Sequence, residues 1–123
     1  MTSVPPADTL PIIHAIRILH KDLYSISGKF SKRDKLGIHS LVEAQAISIL
    51  SLTVESAFKS RSQKQPLLET LRVNIEVLKH LVRTENELAI VDFKTYIRLS
   101  EQLVEISRMT NGWINYIAQK EPQ

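Results

Sequence analysis

At 123 residues the chain has the size of one ordinary domain and can bury a core without disulfide or metal staples. It has three glycines and five prolines, three of the prolines before residue 12, which leaves little room for a turn-rich β architecture; the lack of cysteine excludes a disulfide framework, a thiol nucleophile and a zinc-thiolate site. With 43% hydrophobic and 24% charged residues the composition is that of an ordinary globular domain, and the net charge of +3 is compatible with an anionic partner without requiring one.

The first nine residues, with Pro5 and Pro6, read as a flexible leader. They carry neither a basic start nor a long apolar run, so a secretory signal is not expected and a cytoplasmic location is. No membrane association is expected either: the richest apolar run, Ile47 to Val54, is interrupted by Ser48, Ser51 and Thr53 and falls short of the roughly 20 residues a span needs.

Pro11 suits the first turn of a helix, where its missing N–H is no loss. From there Ile12, Ile16, Leu19, Leu23, Ile26 and Phe30 step along one stripe, with Arg17, Lys21 and Ser25 opposite, predicting a first helix over about 10–28 that stops at Gly28. A short connection, Lys29 to Lys35, holds four bases and one acid, and Ser31 or Asp34 can cap the second helix.

That second helix, about 36–58, is apolar nearly all round, and its only charges are Glu43 and Glu55. Such a helix needs cover on more than one side, from a central position or from an oligomer interface. A second basic connection, Lys59 to Lys64, precedes Pro66, which is read as opening a third helix over about 66–86 with Leu68, Leu71, Ile75, Leu78 and Val82 inward. Asp92 is a good N-cap for the last helix, and Val91 is placed to touch Tyr96 across it. In that helix Tyr96, Leu99, Leu103, Ile106, Thr110, Trp113 and Ile117 form the packing stripe; Lys94, Arg98, Glu101, Glu105, Arg108, Asn115 and Gln119 form the wet one. The expected fold is all-α: an antiparallel up-down-up-down four-helix bundle over residues 10–118, with a tail at 119–123.

Three stretches resemble one family. Ser31-Lys-Arg-Asp-Lys-Leu-Gly37 resembles the entry to the second helix of the accessory variability proteins (Avd) of diversity-generating retroelements. Leu71 to Arg83 is similar to the third helix of that family, and Leu99-Ser-Glu-Gln-Leu through Asn111-Gly-Trp113 to its fourth. Ser107 and Asn111 stand where the family has Gly, and Ile38-His39 where a basic residue commonly comes after Leu-Gly. A sister family with the same fold, encoded in intervening sequences of ribosomal RNA genes, ranks second because its Asn-Ile-Ala-Glu-Gly-like motif is absent here. The first resemblance implies a ring-like homo-oligomer, a pentamer, that binds RNA or DNA and associates with a reverse transcriptase making mutagenised cDNA. The alternative is an oligomeric bundle that binds only protein.

The bases are the candidate contacts. Lys29, Lys32, Arg33 and Lys35 cluster at one end of the second helix and Lys59, Arg61 and Lys64 at the other, roughly 33 Å apart at the rise of an α-helix. In a ring, several copies of either cluster make a cationic rim able to hold a phosphate backbone; alone, loop lysines are more simply solvated. Arg72, Lys79 and Arg83 form a third candidate stripe. Glu76 sits among them, so a salt-bridge ladder is the simpler account, and Arg83 is the freest of the three.

No enzyme is expected. His14, His20, His39 and His80 make no His-x-x-x-His pair, Glu101 and Glu105 lack the His partners of a di-metal bundle, and no nucleophile elbow or phosphate loop is present. No cofactor or metal is therefore called for. Trp113 reads as a packing anchor at the bundle end, beside Gly112.

Overall fold

The stripe of Ile12, Ile16, Leu19 and Leu23 is buried, and it forms the inner face of α1, Pro11–Ile26, in a computed structural model that describes residues 10–120. The leader expected at 1–9 and residues 121–123 of the expected tail lie outside the described residues. Pro11 stands in the first turn of α1, and the Leu10 carbonyl accepts from the N–H groups of Ile13 and His14. The helix ends at Ile26 rather than Gly28 and tightens into a 3-10 turn, Ser27–Lys29, where the Ser27 hydroxyl donates to the Tyr24 carbonyl at 2.7 Å.

The connection after this turn is not an open loop. Residues Lys32–Leu36 wind into a single helical turn, α2, with the Ser31 hydroxyl oxygen accepting from the Asp34 N–H at 3.1 Å. Gly37 separates α2 from α3, Ile38–Phe58. Its N–H donates to the Arg33 carbonyl at 2.8 Å, and a Cβ at this position would lie 2.7 Å from that same oxygen, so glycine is needed for the close approach.

The third long helix, α4, spans Arg61–Glu87, which corrects the expected start at Pro66. The Ser60 carbonyl accepts from both Gln63 and Lys64, so the helix is already wound when Pro66 is reached; the proline sits on an exposed early turn and interrupts one backbone bond. The turn into α5 places Ala89 at φ 61°, with the N–H groups of Ile90 and Val91 both reaching the Glu85 carbonyl. α5 runs Phe93–Lys120, two residues past the expected end of the bundle, and is capped by Asp92, whose Oδ1 accepts from the Thr95 N–H at 2.8 Å.

Each long helix packs on the next, α1 on α3, α3 on α4, α4 on α5 and α5 back on α1, which closes a four-helix bundle. Its centre is aliphatic: Ile16, Leu19, Leu23, Val42, Ile49, Leu71, Ile75, Leu78, Leu99, Leu103 and Ile106 are all within 1% of full burial. Each such side chain contributes about 1.5–3 kcal/mol of transfer free energy.

α3 keeps the two-sided character expected of it. Val42, Ala46, Ile49 and Thr53 face the core, while Leu41, Ile47 and Phe58 are exposed on the outside together with Ser40, Ala44, Ser48 and Ser51. By length and composition alone the stretch Lys32–Phe58 is apolar enough to cross a membrane, which corrects the expectation that no segment is; here its inner face packs on α1 and α4.

Candidate nucleic-acid interface

The antiparallel course of the helices brings the end of α1, the start of α3, the end of α4 and the start of α5 to one tip of the bundle. Lys29 stands there in the 3-10 turn, and Lys32, Arg33 and Lys35 stand on α2, all exposed. None of these four makes an ion pair among the described residues. At 100° per residue, α2 fans Arg33 and Lys35 to either side of Lys32. Lys94, on the first turn of α5 and also exposed, is brought to the same tip.

The second basic group is differently placed. Lys59 lies 4.0 Å from Glu55, and Arg61 is exposed on the first turn of α4. Lys64 is not in a loop. Its ammonium turns back to donate to the carbonyls of Ser56 and Ala57 at 3.0 and 3.2 Å, the last turn of α3, and lies 5.7 Å from the centre of the Trp113 ring. Burial holds this ammonium below the usual lysine range. Lys64 therefore ties α3, α4 and α5 together. Trp113 is half-buried where it meets this lysine and packs against the core.

The stripe on α4 is laced with acids. Arg72 pairs with Glu69, Lys79 with Glu76 at 2.8 Å and Arg83 with Glu87 at 3.2 Å, all on exposed surface. Arg83, the freest residue within the stripe by spacing, thus has a partner one turn beyond it. Exposed pairs of this kind contribute about a few tenths of a kcal/mol each.

The most constrained polar group at the basic tip is one that spacing alone does not expose. His39 and Glu85 are both fully buried, and Nδ1 of the imidazole lies 2.7 Å from Oε2 of the carboxylate. The other ring nitrogen, Nε2, donates to the Leu23 carbonyl at 2.8 Å, and Phe30 meets the ring edge-on with centroids 4.8 Å apart. Burial disfavours the imidazolium, but the hydrogen bonds to Glu85 and to the Leu23 carbonyl, with the charges of Glu85 and Glu43, outweigh it and raise the imidazole above its ordinary range. Oε1 of Glu85 has no hydrogen-bond partner among the described residues. Glu85 continues the inward stripe of Leu78 and Val82, and His39 precedes Val42 by three; a polar residue on each apolar stripe was the available signal.

Beside this pair, an open cleft of about 550 Å³ is lined by Tyr24, Ser27, Lys35, His39 and Glu43 among others. Among the described residues, no three His, Asp or Glu side chains are grouped to hold a metal ion. The class defined by this architecture is a four-helix bundle with unpaired cations on a wound turn at one tip. Compared with known proteins, the chain matches no family model and no curated protein.

Proposed function

We propose that the protein is a non-catalytic, nucleic-acid-binding accessory protein of a retroelement, acting in the cytoplasm. It holds RNA or DNA through Lys29, Lys32, Arg33 and Lys35 and associates with the element's reverse transcriptase through its outer surface, supporting mutagenic cDNA synthesis. The observation that carries this reading is a contrast in pairing: Arg72, Lys79 and Arg83 of the α4 stripe are each matched by an acid, whereas Lys29 of the 3-10 turn and Lys32, Arg33 and Lys35 of α2 have no ion-pair partner among the described residues. The resemblance of the Ser31–Gly37, Leu71–Arg83 and Leu99–Trp113 stretches to the retroelement accessory family supports the same assignment. The charge-poor outer face of α3 supports assembly of several copies, a pentamer by that resemblance, which would repeat the cationic turn around a rim.

Contacts of this kind go to phosphates, so affinity falls steeply with salt, by about 0.7 in log K per log unit of salt for each single-strand phosphate neutralised. The test is a salt-titrated binding assay with the wild type and with Lys32, Arg33 and Lys35 all changed to Glu. Loss of binding in the variant, with helicity and assembly unchanged, is the expected result. No wild-type binding at low salt, or full binding by the variant, overturns the reading.

The same α3 face supports a second reading, an assembling scaffold that binds only protein. It predicts assembly with no nucleic-acid binding at any salt concentration.

A further inference from the structure

His39 is held from three directions. Because a carbonyl oxygen only accepts, the 2.8 Å contact to Leu23 fixes a proton on Nε2. At 2.7 Å, Nδ1 and the Glu85 carboxylate need one proton between them; without it, two lone pairs would face each other. The pair therefore shares one proton, and losing that proton to solvent leaves a net negative charge where both side chains are fully buried. The charged and titratable groups that face it are few. Glu85 comes from α4 and Glu43 from α3 itself, 4.0 Å from Nε2; α1 contributes the Leu23 carbonyl and Tyr24, which lines the adjoining cleft with Lys35 of α2.

The same ring is the surface on which the basic segment is seated. Phe30 stands between Lys29 and the cap residue Ser31, and its ring meets the His39 ring at 88°. The segment from Lys29 to Lys35 is thus tied to the core through Phe30 on one side and joined to the start of α3 through Gly37 on the other. We propose that the His39–Glu85 pair is the positioning element of the basic segment, and that its shared proton governs how well the segment holds nucleic acid. With the proton in place the imidazole is fixed and Phe30 keeps its seat. Without it the imidazole is no longer bound to Glu85 and the seat of the segment loosens. The inference rests on the nucleic-acid reading above and deepens it.

The variant Glu85→Gln separates the proton from the packing. Its amide donates to Nδ1 of a neutral imidazole, so both ring contacts persist with no shared proton. Binding of a fluorescein-labelled single-stranded oligonucleotide is measured at fixed low salt from about pH 7 to pH 9, a range in which unperturbed lysines stay charged. The wild type is expected to weaken several-fold across this range, and E85Q to bind at both ends as the wild type does at pH 7. An equal decline in both proteins overturns the inference while leaving the nucleic-acid reading intact. No wild-type binding at any pH overturns both. Independently, in the wild type alone, the His39 ring resonances and the amides of residues 30–36 are expected to titrate together by NMR; a His39 titration that leaves those amides unmoved overturns the inference even if E85Q does not fold.

Discussion

Arg98 on α5 grips Asp22 on α1 with two parallel hydrogen bonds of 2.9 and 2.8 Å, and Gln102, one turn further on, donates to the same carboxylate at 2.8 Å. The Arg98 guanidinium holds the Asp22 carboxyl below the usual aspartate range against a smaller opposing effect of burial. A group whose folded value is lowered stabilises fully above its unfolded value, about 3.9, and loses that stabilisation as pH falls through the folded one. Asp22→Asn is therefore expected to flatten the acid limb of the stability curve. At neutral pH it costs about 1 kcal/mol, small because Arg98 is half exposed. Thermal unfolding between about pH 2 and pH 7 checks both statements.

The buried pair acts in the opposite sense. His39 is raised in the folded state, so its contribution is whole below the ordinary imidazole value of about 6.5 and is lost as pH rises through the folded value. The melting temperature should fall on the alkaline side in the wild type and not in E85Q. His39→Ala, which strands the Glu85 carboxylate in the core, is expected to cost about 3 kcal/mol or more in chemical denaturation.

Gly37→Ala places a methyl group against the Arg33 carbonyl, closer than any real contact. Relief requires α2 to move relative to α3. The expected outcome is about 1–2 kcal/mol of destabilisation together with weaker oligonucleotide binding, although no charge is changed. Unchanged binding would mean that the placement of α2 does not matter.

Ala89 occupies the left-handed region in the turn between α4 and α5. Ala89→Gly removes that strain and should raise stability by about 1 kcal/mol in chemical denaturation, with no effect on binding.

Lys64→Met keeps most of the side-chain volume and removes two hydrogen bonds to the end of α3. It should cost about 1 kcal/mol or more of stability and leave oligonucleotide affinity unchanged. Of the second basic group, only Lys59 and Arg61 would then remain to test as direct contacts.

Much of this fold is legible in periodicity. The stripes of α1, α4 and α5 are the faces found buried, from Ile12 to Leu23, Leu68 to Val82 and Leu99 to Ile117, because a helix with one apolar face has one way to satisfy it. The Asp92 cap is legible because it is local. What escapes is decided by neighbours distant in sequence. Pro66 marks no helix start, since the Ser60 carbonyl has already nucleated the turn before it. Lys64 is identical in sequence character to Lys59; only the last carbonyls of α3 and the ring of Trp113 determine that it turns inward. His39 and Glu85 are 46 positions apart, and each alone reads as an isolated polar residue. The candidate bases could be enumerated from the chain, but which of them lack an acidic partner depends on side-chain placement.

The winding of α2 has a thermodynamic consequence. Ordering a flexible basic loop on a ligand costs about 1–2 kcal/mol for every backbone residue frozen. In this chain the Ser31 cap, the Gly37 N–H and the Phe30–His39 contact have already ordered residues 32–36 during folding. An anionic strand meeting Lys32, Arg33 and Lys35 has only their rotamers left to restrict, so a turn of five residues can bind with the entropy loss of a rigid surface rather than that of a coupled folding event.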